Sequence, residues 1–578
     1  MAVGDTVTRL YSGFRGVDFR GEEINLTRSP DSINMWKDYK ETDSIRTRPK
    51  LEHFDLSNQM FPELDTDKIH GIHFTRVYEE DVRIFYIHSG TNLFRIFPRP
   101  SGNLIVSKVF EDLNASKSEM FALAGECYIK DGKNYLKATG LTAFNVDGYI
   151  PTTSIACKPS GGGKQYEDVN MLTGRRKNTF LADGISTEYF LDTQNIDEDG
   201  RIKIIINGET AYTSSYDVDC VAGKITFEAP PPVPGTDGQD NVVIEFSKTI
   251  PGEREKILNC TLSQVFDNRV FFSGNPDYPN MIWHSALDNP EYVSDLDYYN
   301  EGYDASAVRG MVAGNNALWV FKEPSYENVT VFYHTPTTDL EYGKIYPNTH
   351  SSISTGCVGK AINFNDDIVF FSERGMEGIS SDVTTEQVIA HRSSMVDRKL
   401  LNEPNYKNML LEEWQGYLLV IIDNKVYLAD SRGKFNNIDH MEYEWFYWEL
   451  DKKITCTKLK DGVLYLGTES GVYTLTDTTS DVESYWTTPK DKFNHPQYMK
   501  TTNKRGCVSE STGDISLYVK TDKTDFELIG DYKNITDSFV SRIKRKKFKD
   551  IQLKFHSKTR FSLESVTLEC FIGGYIKR

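Results

Sequence analysis

The sequence has no long run of apolar residues. Its longest apolar stretches, such as Leu418–Ile422, are far shorter than the roughly 20 residues of a membrane-spanning helix. The opening residues Met1–Ser12 are mixed and polar, without the basic and then apolar pattern of a signal peptide. We therefore expect a soluble protein with no signal peptide and no membrane insertion by this chain.

Cysteine pairs are also missing. The eight cysteines stand singly, and no two of them are spaced as C-x-x-C. This pattern fits neither a disulfide framework nor a zinc site. It predicts reduced, buried thiols in a protein made in the cytosol.

Motifs of known catalytic chemistry are absent as well. The sequence contains no H-E-x-x-H zinc motif, no G-x-S-x-G nucleophile motif and no phosphate-binding glycine loop. We therefore predict no catalytic, metal-binding or cofactor-binding residue, and no cofactor. One alternative stays open, because Asp366, Asp367, Glu373 and Arg374 could serve a glycosidase site if the carboxylates converge.

A repeated pattern dominates the second half of the chain. A polar turn precedes an apolar, aromatic-rich run five times, and the runs are centred on Phe271, Trp319, Val369, Leu419 and Tyr465. These centres are 48, 50, 50 and 46 residues apart. Repeats of this length, each a four-stranded unit opening with a buried strand, are typical of a β-propeller. We predict an all-β fold with a propeller of six to eight blades.

The repeat and its interruptions divide the chain into five regions. Residues 1–60 would close or brace the propeller, and residues 61–159 and 251–478 would form its blades. Residues 160–250 lie between breaker-rich segments and contain short strand patterns, which predict an inserted small β-sandwich. Residues 479–578 show period-two alternation and predict a C-terminal β domain.

Charge is distributed unevenly along the chain. The net charge is −18, yet residues 479–578 hold 19 Lys and Arg against 13 Asp and Glu, a net of +6. The other 478 residues therefore carry a net charge of −24. This separation suits a solvated acidic surface, or an acidic body that repels a polyanion while its basic end docks onto an acidic partner.

The strongest basic cluster lies in the C-terminal region. It could neutralise nucleic-acid phosphates, discourage pairing at a strand edge, or dock onto an acidic ring of protein. The candidate docking patch consists of Lys504, Arg505, Arg542, Lys544, Arg545, Lys546, Lys547 and Lys549.

The segment Tyr443–Trp448 is unusually aromatic. Such a run could stack on sugars or bases, but it is also typical of a buried strand at a blade junction. Core packing is the interpretation that we prefer.

Several segments resemble known virion proteins. The opening segments Gly13–Asp18, Ser29–Asn34 and Ile45–Lys50 resemble the start of the nozzle proteins of short-tailed bacteriophages. These are also known as tail tubular or packaged-DNA-stabilisation proteins. Tyr149–Thr153 and the closing Phe571–Arg578 are similar to related virion proteins of phages.

The resemblance implies a structural role. Members of this family form a ring of six identical chains below the portal and its adaptor, and double-stranded DNA passes through the ring without specific binding. The implied location is the virion tail, after synthesis in the host bacterial cytoplasm. The family has no catalytic residue to transfer, and the segment with Arg46, Arg48 and Pro49 would be an N-terminal assembly strand. The inserted region 160–250 departs from the family pattern. The alternative function is a carbohydrate-binding or glycan-degrading, tail-associated β-propeller.

Overall fold

A computed structural model describes the backbone over thirteen stretches of the chain. They are residues 5–39, 44–56, 61–77, 82–98, 104–140, 142–198, 200–326, 329–340, 343–381, 387–432, 442–477, 481–544 and 546–575. These stretches are nearly all-β, with three short α-helices at Glu63–Thr66 (α1), Glu253–Leu258 (α2) and Asp397–Leu400 (α3). Single 3₁₀ turns lie at Thr213–Ser215 and Tyr406–Asn408. In this part of the chain no helix is long and apolar enough to cross a membrane.

The chain forms two compact units. The first contains Met1–Phe74, Tyr86–Gly90 and Ser351–Arg578, and the second contains Thr75–Phe85 and Thr91–His350.

The N-terminal region forms seven strands. They are β1 Thr6–Ser12, β2 Gly16–Val17, β3 Arg28–Ser29, β4 Ser32–Ile33, β5 Met35–Lys37, β6 Ile45–Thr47 and β7 Lys50–His53. β2 and β3 pair in parallel as a small sheet, and the other five strands join sheets built mainly by the C-terminal half of the chain.

Four-stranded antiparallel sheets follow one another along most of the chain. The first sheet contains, in order, β8 Ile69–Val77, β9 Val82–Ser89, β10 Asn92–Pro98 and β11 Leu104–Phe110. The second contains, in order, β12 Glu119–Leu123, β13 Glu126–Lys130, β14 Tyr135–Thr139 and β15 Thr142–Asn145.

Two more sheets follow the inserted region. One contains β25 Leu262–Phe266, β26 Arg269–Ser273, β27 Met281–His284 and β28 Tyr298–Asn300. The next contains β29 Val308–Gly314, β30 Ala317–Lys322, β31 Val331–His334 and β34 Asn348–His350, with the hairpin β32 Thr337–Asp339 and β33 Gly343–Ile345 before its last strand.

The remaining three four-stranded sheets belong to the first compact unit. They are β35 Ala361–Phe364, β36 Asp367–Ser372, β37 Gly375–Ser381 and β38 Gln387–His391; then β39 Leu410–Trp414, β40 Tyr417–Ile422, β41 Lys425–Asp430 and β42 Glu444–Glu449; and then β43 Ile454–Lys460, β44 Val463–Thr468 and β45 Val472–Thr476, whose fourth strand is β7. The described residues thus contain seven four-stranded antiparallel units.

The turn before each repeated apolar run has one conformation. At all five repeats two residues connect the first and second strands, and both have positive φ, for example 53° and 58° at Asn315 and Asn316. This is the type I′ hairpin turn, whose twist matches that of the flanking strands and which favours Asn, Asp and Gly. The other four turns are Asp267–Asn268, Asn365–Asp366, Gln415–Gly416 and Asp461–Gly462.

The repeated apolar run is the second strand of its unit. β30, β36 and β40 are buried along their whole length, whereas the strands before them are less buried. The prediction that each unit opens with its buried strand is therefore wrong, because the fully buried strand is the second of its unit and not the first. The reason is that the polar turn noted in the sequence lies inside the unit, between its first two strands, and not between units.

The last unit combines distant parts of the chain. β45 pairs antiparallel with β7, with Leu475 opposite Leu51 and Tyr473 opposite His53. More than 400 residues separate the partners, so neither segment completes this sheet alone.

The inserted region, together with the strand Thr152–Cys157 that precedes residue 160, forms two sheets that share a core. The first has the order β17 Lys164–Gln165, β16 Thr152–Cys157, β18 Arg175–Phe180, β24 Val242–Ser247, β20 Lys203–Ile206 and β21 Glu209–Thr210. The second has the order β19 Glu188–Phe190, β23 Lys224–Phe227 and β22 Tyr216–Asp219. Phe180 and Tyr189, from different sheets, pack edge to face with ring centroids 5.3 Å apart.

The C-terminal region forms long strands in one large sheet. They are β46 Ser484–Thr487, β47 Tyr498–Thr521, β48 Thr524–Ile535, β49 Ser538–Ser541, β50 Lys546–Phe548, β51 Ile551–Ser557 and β52 Phe561–Tyr575. The strand order β39-β40-β41-β42-β5-β6-β52-β47-β51-β46-β4 links them to the N-terminal strands. In addition, β1 pairs with β52, whereas β48, β49 and β50 each pair with β47. Ile515, Leu517 and Val519 are buried, as their period-two spacing predicts. All eight cysteines are free thiols, and only Cys220 is not fully buried.

Candidate functional site

Four cations of the predicted basic patch lie on the outer surface of the C-terminal sheet. Arg542, Lys544, Lys547 and Lys549 are exposed. The residues between them point inward, because Ile543 and Phe548 are each 1% exposed and belong to the main hydrophobic core. Two apolar anchors therefore hold the segment against the sheet with its charges in solvent. We call these four cations the basic surface.

The other members of the patch lie outside the described part of the molecule. Arg545 is not described, and nothing is described of the side chains of Lys504, Arg505 and Lys546. The backbone of Lys546–Phe548 pairs with β47 in strand β50, which has no second partner among the described strands. The segment is therefore an edge strand, a position where lysine also discourages unwanted pairing.

None of the four cations forms an ion pair with a described residue. Lys500, beneath them, is different: its Nζ is fully buried and donates to the carbonyl oxygens of His495, Tyr498 and Lys549 over 2.7, 3.0 and 2.8 Å. Burial lowers the pKa of the Lys500 ammonium. Lys500 thus fixes the backbone at Lys549, a role that nothing in its sequence context indicates.

An apolar row, interrupted by Thr567, crosses the same face of the sheet. The register places Leu10 opposite Thr567, Thr567 opposite Val508 and Val508 opposite Val540, on four adjacent strands. Leu10 and Val540 are 54% and 56% exposed. Neighbouring strands are about 4.8 Å apart, so the row is roughly 14 Å long. Exposed apolar groups that lie close together are typical of interaction surfaces.

The predicted assembly strand is internal instead. Strand β6, with Arg46, pairs with β5 on one side and β52 on the other. Arg46 is 5% exposed and forms ion pairs with Asp38 and Asp477. The structure therefore shows no free strand edge at this position, because the chain itself occupies both edges.

Arg48 is likewise internal. Its Nε donates to Oδ1 of Asn34 over 2.8 Å, and its Nη1 and Nη2 donate to the carbonyls of Pro49 and Glu449, each over 2.9 Å. Burial lowers the pKa of the guanidinium to about 10. Arg48 joins the N-terminal strands to β42 within one chain.

The aromatic segment Tyr443–Trp448 is core. Trp445 and Trp448 are fully buried, and Tyr443 and Phe446 are at most 1% exposed. The indole Nε1 of Trp445 donates to the carbonyl of Arg392 over 3.0 Å. The preference for core packing over sugar or base stacking is confirmed.

The candidate glycosidase carboxylates do not converge. Asp367 is 3% exposed, pairs with Arg392 over 3.0 Å and accepts a hydrogen bond from the Tyr443 hydroxyl over 2.6 Å. Asp366 and Glu373 lie beyond opposite ends of β36, which places their Cα atoms about 23 Å apart at 3.3 Å per residue. Paired glycosidase carboxylates are roughly 5–10 Å apart, so this set does not form such a pair. Across the residues that the structure describes, no three His, Cys, Asp or Glu side chains are grouped to hold a metal ion.

Comparison with known proteins gives similarity to solved structures only. No protein-family model and no curated protein matches the chain. A catalytically inactive variant of virginiamycin B lyase from Staphylococcus aureus, solved with quinupristin, is 14% identical, with a TM-score of 0.34 over 74% of this chain and 99% of that chain. BamB from Moraxella catarrhalis is 9% identical, with a TM-score of 0.33 over 78% of this chain and 94% of that one. YCF48 bound to D1 peptide is 7% identical, with a TM-score of 0.31 over 72% of this chain and 94% of that one.

Proposed function

We propose that this protein is a structural subunit of a bacteriophage tail, of the nozzle class that its opening segments resemble. In this role six copies form a ring below the portal and adaptor, through which DNA leaves the capsid. The observation that supports it best is the outer face of the C-terminal sheet. There, an exposed apolar row lies on the same sheet as four cations that have no ion-pair partner in the described part of the chain.

This face has the chemistry of a protein-docking surface. Because the four cations have no ion-pair partner among the described residues, they can pair with carboxylates of an acidic protein, which gives the contact its orientation and its rate of formation. The apolar row supplies area that is favourable to bury. The core anchors Ile543 and Phe548 fix the segment before binding, so little conformational entropy is lost.

The finer architecture belongs to the same proposal. The seven four-stranded units are the blades of a propeller, the two sheets of the inserted region are a β-sandwich, and the strand β7 completes the last blade. The repeat length near 48 residues and the identical type I′ turns support equivalent units.

The charge of residues 1–478 suits a conduit for DNA. Duplex DNA carries one negative charge per roughly 1.7 Å of its axis, and a basic wall would hold it by releasing counterions. A body with a net charge of −24 would instead let DNA pass without adsorption.

Electron microscopy with the neighbouring tail components tests the proposal. The purified chain is mixed with the portal and adaptor encoded beside it, and negative-stain class averages are collected. We expect a ring with a central channel stacked on the adaptor. The matched variant Arg542→Glu/Lys544→Glu/Lys547→Glu should reduce the fraction of complexes that carry the ring by at least tenfold. Absence of any bound ring with the unchanged chain would refute the proposal.

A further inference from the structure

A cavity of about 270 Å³ lies in the second compact unit, beside the inserted region. It is lined by residues 145–147, 169–174, 201, 248–250, 253–254 and 295, so one wall is the start of α2. We call it the α2 cavity. Its volume equals that of about nine liquid water molecules at about 30 Å³ each, which is room for a small organic molecule.

Hydrogen bonds fix the main chain around the α2 cavity. The side chain of Asn170, which is 2% exposed, donates from Nδ2 to the carbonyls of Tyr149 and Glu291, each over 2.8 Å. The backbone N–H of Asp295 donates to the carbonyl of Val169 over 3.1 Å. The cavity therefore has its shape before a ligand enters, so little conformational entropy is lost on binding.

The most buried side chains of the lining are apolar, apart from Asn170. Val146 and Leu172 are each 1% exposed, and Met171 is 4% exposed. Such a surface favours a ligand with a hydrocarbon segment, because binding removes apolar surface from water on both sides.

The three cationic side chains of the described lining already have partners. Arg254 donates to two main-chain carbonyls, one of them that of Val146 over 2.8 Å. Lys248 donates from Nζ to the carbonyl of Asn195, and the exposed Arg201 is engaged as well. These cations are thus not available to an anion without the loss of existing hydrogen bonds.

Two of the three carboxylates of the same lining are in the opposite situation. Asp147 and Asp295 form no ion pair with a described residue, whereas Glu253 lies 2.7 Å from Nζ of Lys256. The charge that is left without a partner in this cavity is therefore negative.

Asp295 is the carboxylate in the less favourable environment. Its side chain is partly buried, and burial, followed by the nearby charge of Asp168, raises the pKa of Asp295. Arg176 is close enough to oppose this shift, but it donates from Nη2 to the carbonyl of Lys248 over 3.2 Å and forms no ion pair with Asp295. A cation in the cavity would stabilise this buried negative charge.

We propose that the α2 cavity binds a small aliphatic amine, whose ammonium group pairs with Asp295 while its hydrocarbon chain covers Val146 and Met171. In a diamine the second ammonium group pairs with Asp147. An ammonium group has three donors and no acceptor, which suits carboxylates and not the engaged cations of the lining. This inference goes beyond the proposed function and does not depend on it.

Calorimetric titration of the full chain with 1,4-diaminobutane tests the inference. We expect a dissociation constant below about 1 mM for the unchanged chain. Asp295→Asn keeps the shape of the side chain and removes its charge, so it should weaken binding at least about tenfold. Asp147→Asn changes an exposed carboxylate and should weaken it less.

The methyl group of Met171 reports where the amine binds. In a sample labelled with ¹³C-methyl methionine, the Met171 signal, assigned with Met171→Leu, should shift during the titration. In Asp295→Asn the same signal should stay in place at the same amine concentration.

Matched controls separate the cavity from general charge effects. Asp237→Asn removes an exposed carboxylate outside the lining and should leave binding unchanged. 1,4-Butanediol has the same length as the diamine without its charge and should not bind. Mg²⁺ has the same charge without the hydrocarbon chain and should not displace the diamine at an equal concentration. Thermal unfolding without ligand should coincide for all of these variants.

Four results would overturn the inference. No heat and no Met171 shift up to about 10 mM diamine would show that the cavity does not take amines. Binding that Asp295→Asn leaves unchanged, or that Mg²⁺ abolishes at an equal concentration, would assign the amine to the diffuse negative charge of the chain. Equal binding of the diol would assign the cavity to neutral polyols. None of these results changes the expected ring on the adaptor, so the proposed function is tested separately.

Discussion

His391 donates a hydrogen bond from Nε2 to Oδ2 of Asp397 over 2.6 Å, while its Nδ1 lies 3.3 Å from Oε2 of Glu377. Both ring nitrogens therefore face carboxylates, an arrangement that only the imidazolium satisfies fully. The hydrogen bond with Asp397, and then that with Glu377, raises the pKa of His391 to about 9. Ser393 completes the group by donating from Oγ to the other oxygen of Asp397 over 2.6 Å.

This pair predicts a pH-dependent contribution to stability. The pKa of histidine is about 6.5 in the unfolded chain, so the stabilisation is complete below pH 6.5 and disappears as pH rises through about 9. Because His391 is partly exposed, we expect a contribution of roughly 1–2 kcal/mol. Urea unfolding at pH 6 and pH 9.5 measures it, and His391→Gln should lose that part of the pH dependence. Parallel pH profiles for the two proteins would contradict the assignment.

Arg48 predicts a large cost for a conservative substitution. A lysine at this position cannot reach Asn34 and the carbonyls of Pro49 and Glu449 together, since it lacks the planar fork of arginine. We expect Arg48→Lys to lower the free energy of unfolding by about 2–4 kcal/mol, measured by urea unfolding. Arg15→Lys, at a largely exposed side chain, is the control and should change it by less than about 0.5 kcal/mol. Equal effects of both substitutions would show that the hydrogen bonds of Arg48 contribute little.

The type I′ turns predict which turn substitutions the protein tolerates. Asn316 has a φ of 58°, a conformation that β-branched residues avoid. Asn316→Val should lower the thermal midpoint, with a cost of about 1–2 kcal/mol, whereas Asn316→Gly should be neutral or stabilising. Thr349→Val, on the exposed strand β34, is the matched control without a positive φ and should have little effect. A valine tolerated at both positions would contradict the turn assignment.

The buried pair of Glu301 and His334 predicts strong coupling. Glu301 Oε1 lies 2.8 Å from His334 Nε2, and both side chains are at most 1% exposed. Removing one partner leaves the other buried without its hydrogen bond, so Glu301→Leu should cost about 3–5 kcal/mol. The double variant Glu301→Leu/His334→Leu should cost less than the sum of the single variants. A double-mutant cycle by urea unfolding measures this difference, and strict additivity would argue against the coupling.

Local patterns predicted the repeating units well. Each apolar run around Phe271, Trp319 or Val369 forms a buried strand because its neighbours in sequence are also its neighbours in the sheet. The polar turns before these runs are hairpin turns, which are decided by the residues at the turn itself. The position of the run within its unit could not be read from the sequence, because turns inside units and connections between units have similar composition.

Long-range features could not be predicted in this way. Arg46 and Arg48 look like exposed basic residues in the sequence, yet both are buried, and each has one partner more than 400 residues away. The apolar row through Leu10 and Val508 depends on the register of four strands, one from the N-terminal region and three from the C-terminal region. Alternation gives one hint, since Val508 is an apolar residue on the solvent side of β47.

The pairing of β7 with β45 has a consequence for how the protein is made. A ribosome releases residues 50–53 long before it reaches residues 472–476, so the nascent chain must keep an unpaired strand available while the intervening sheets form. The last sheet can be completed only after residues 472–476 have been made, by a contact of very high sequence separation, and such contacts form slowly. Residues 50–53 can thus pair only after more than 400 further residues have been synthesised.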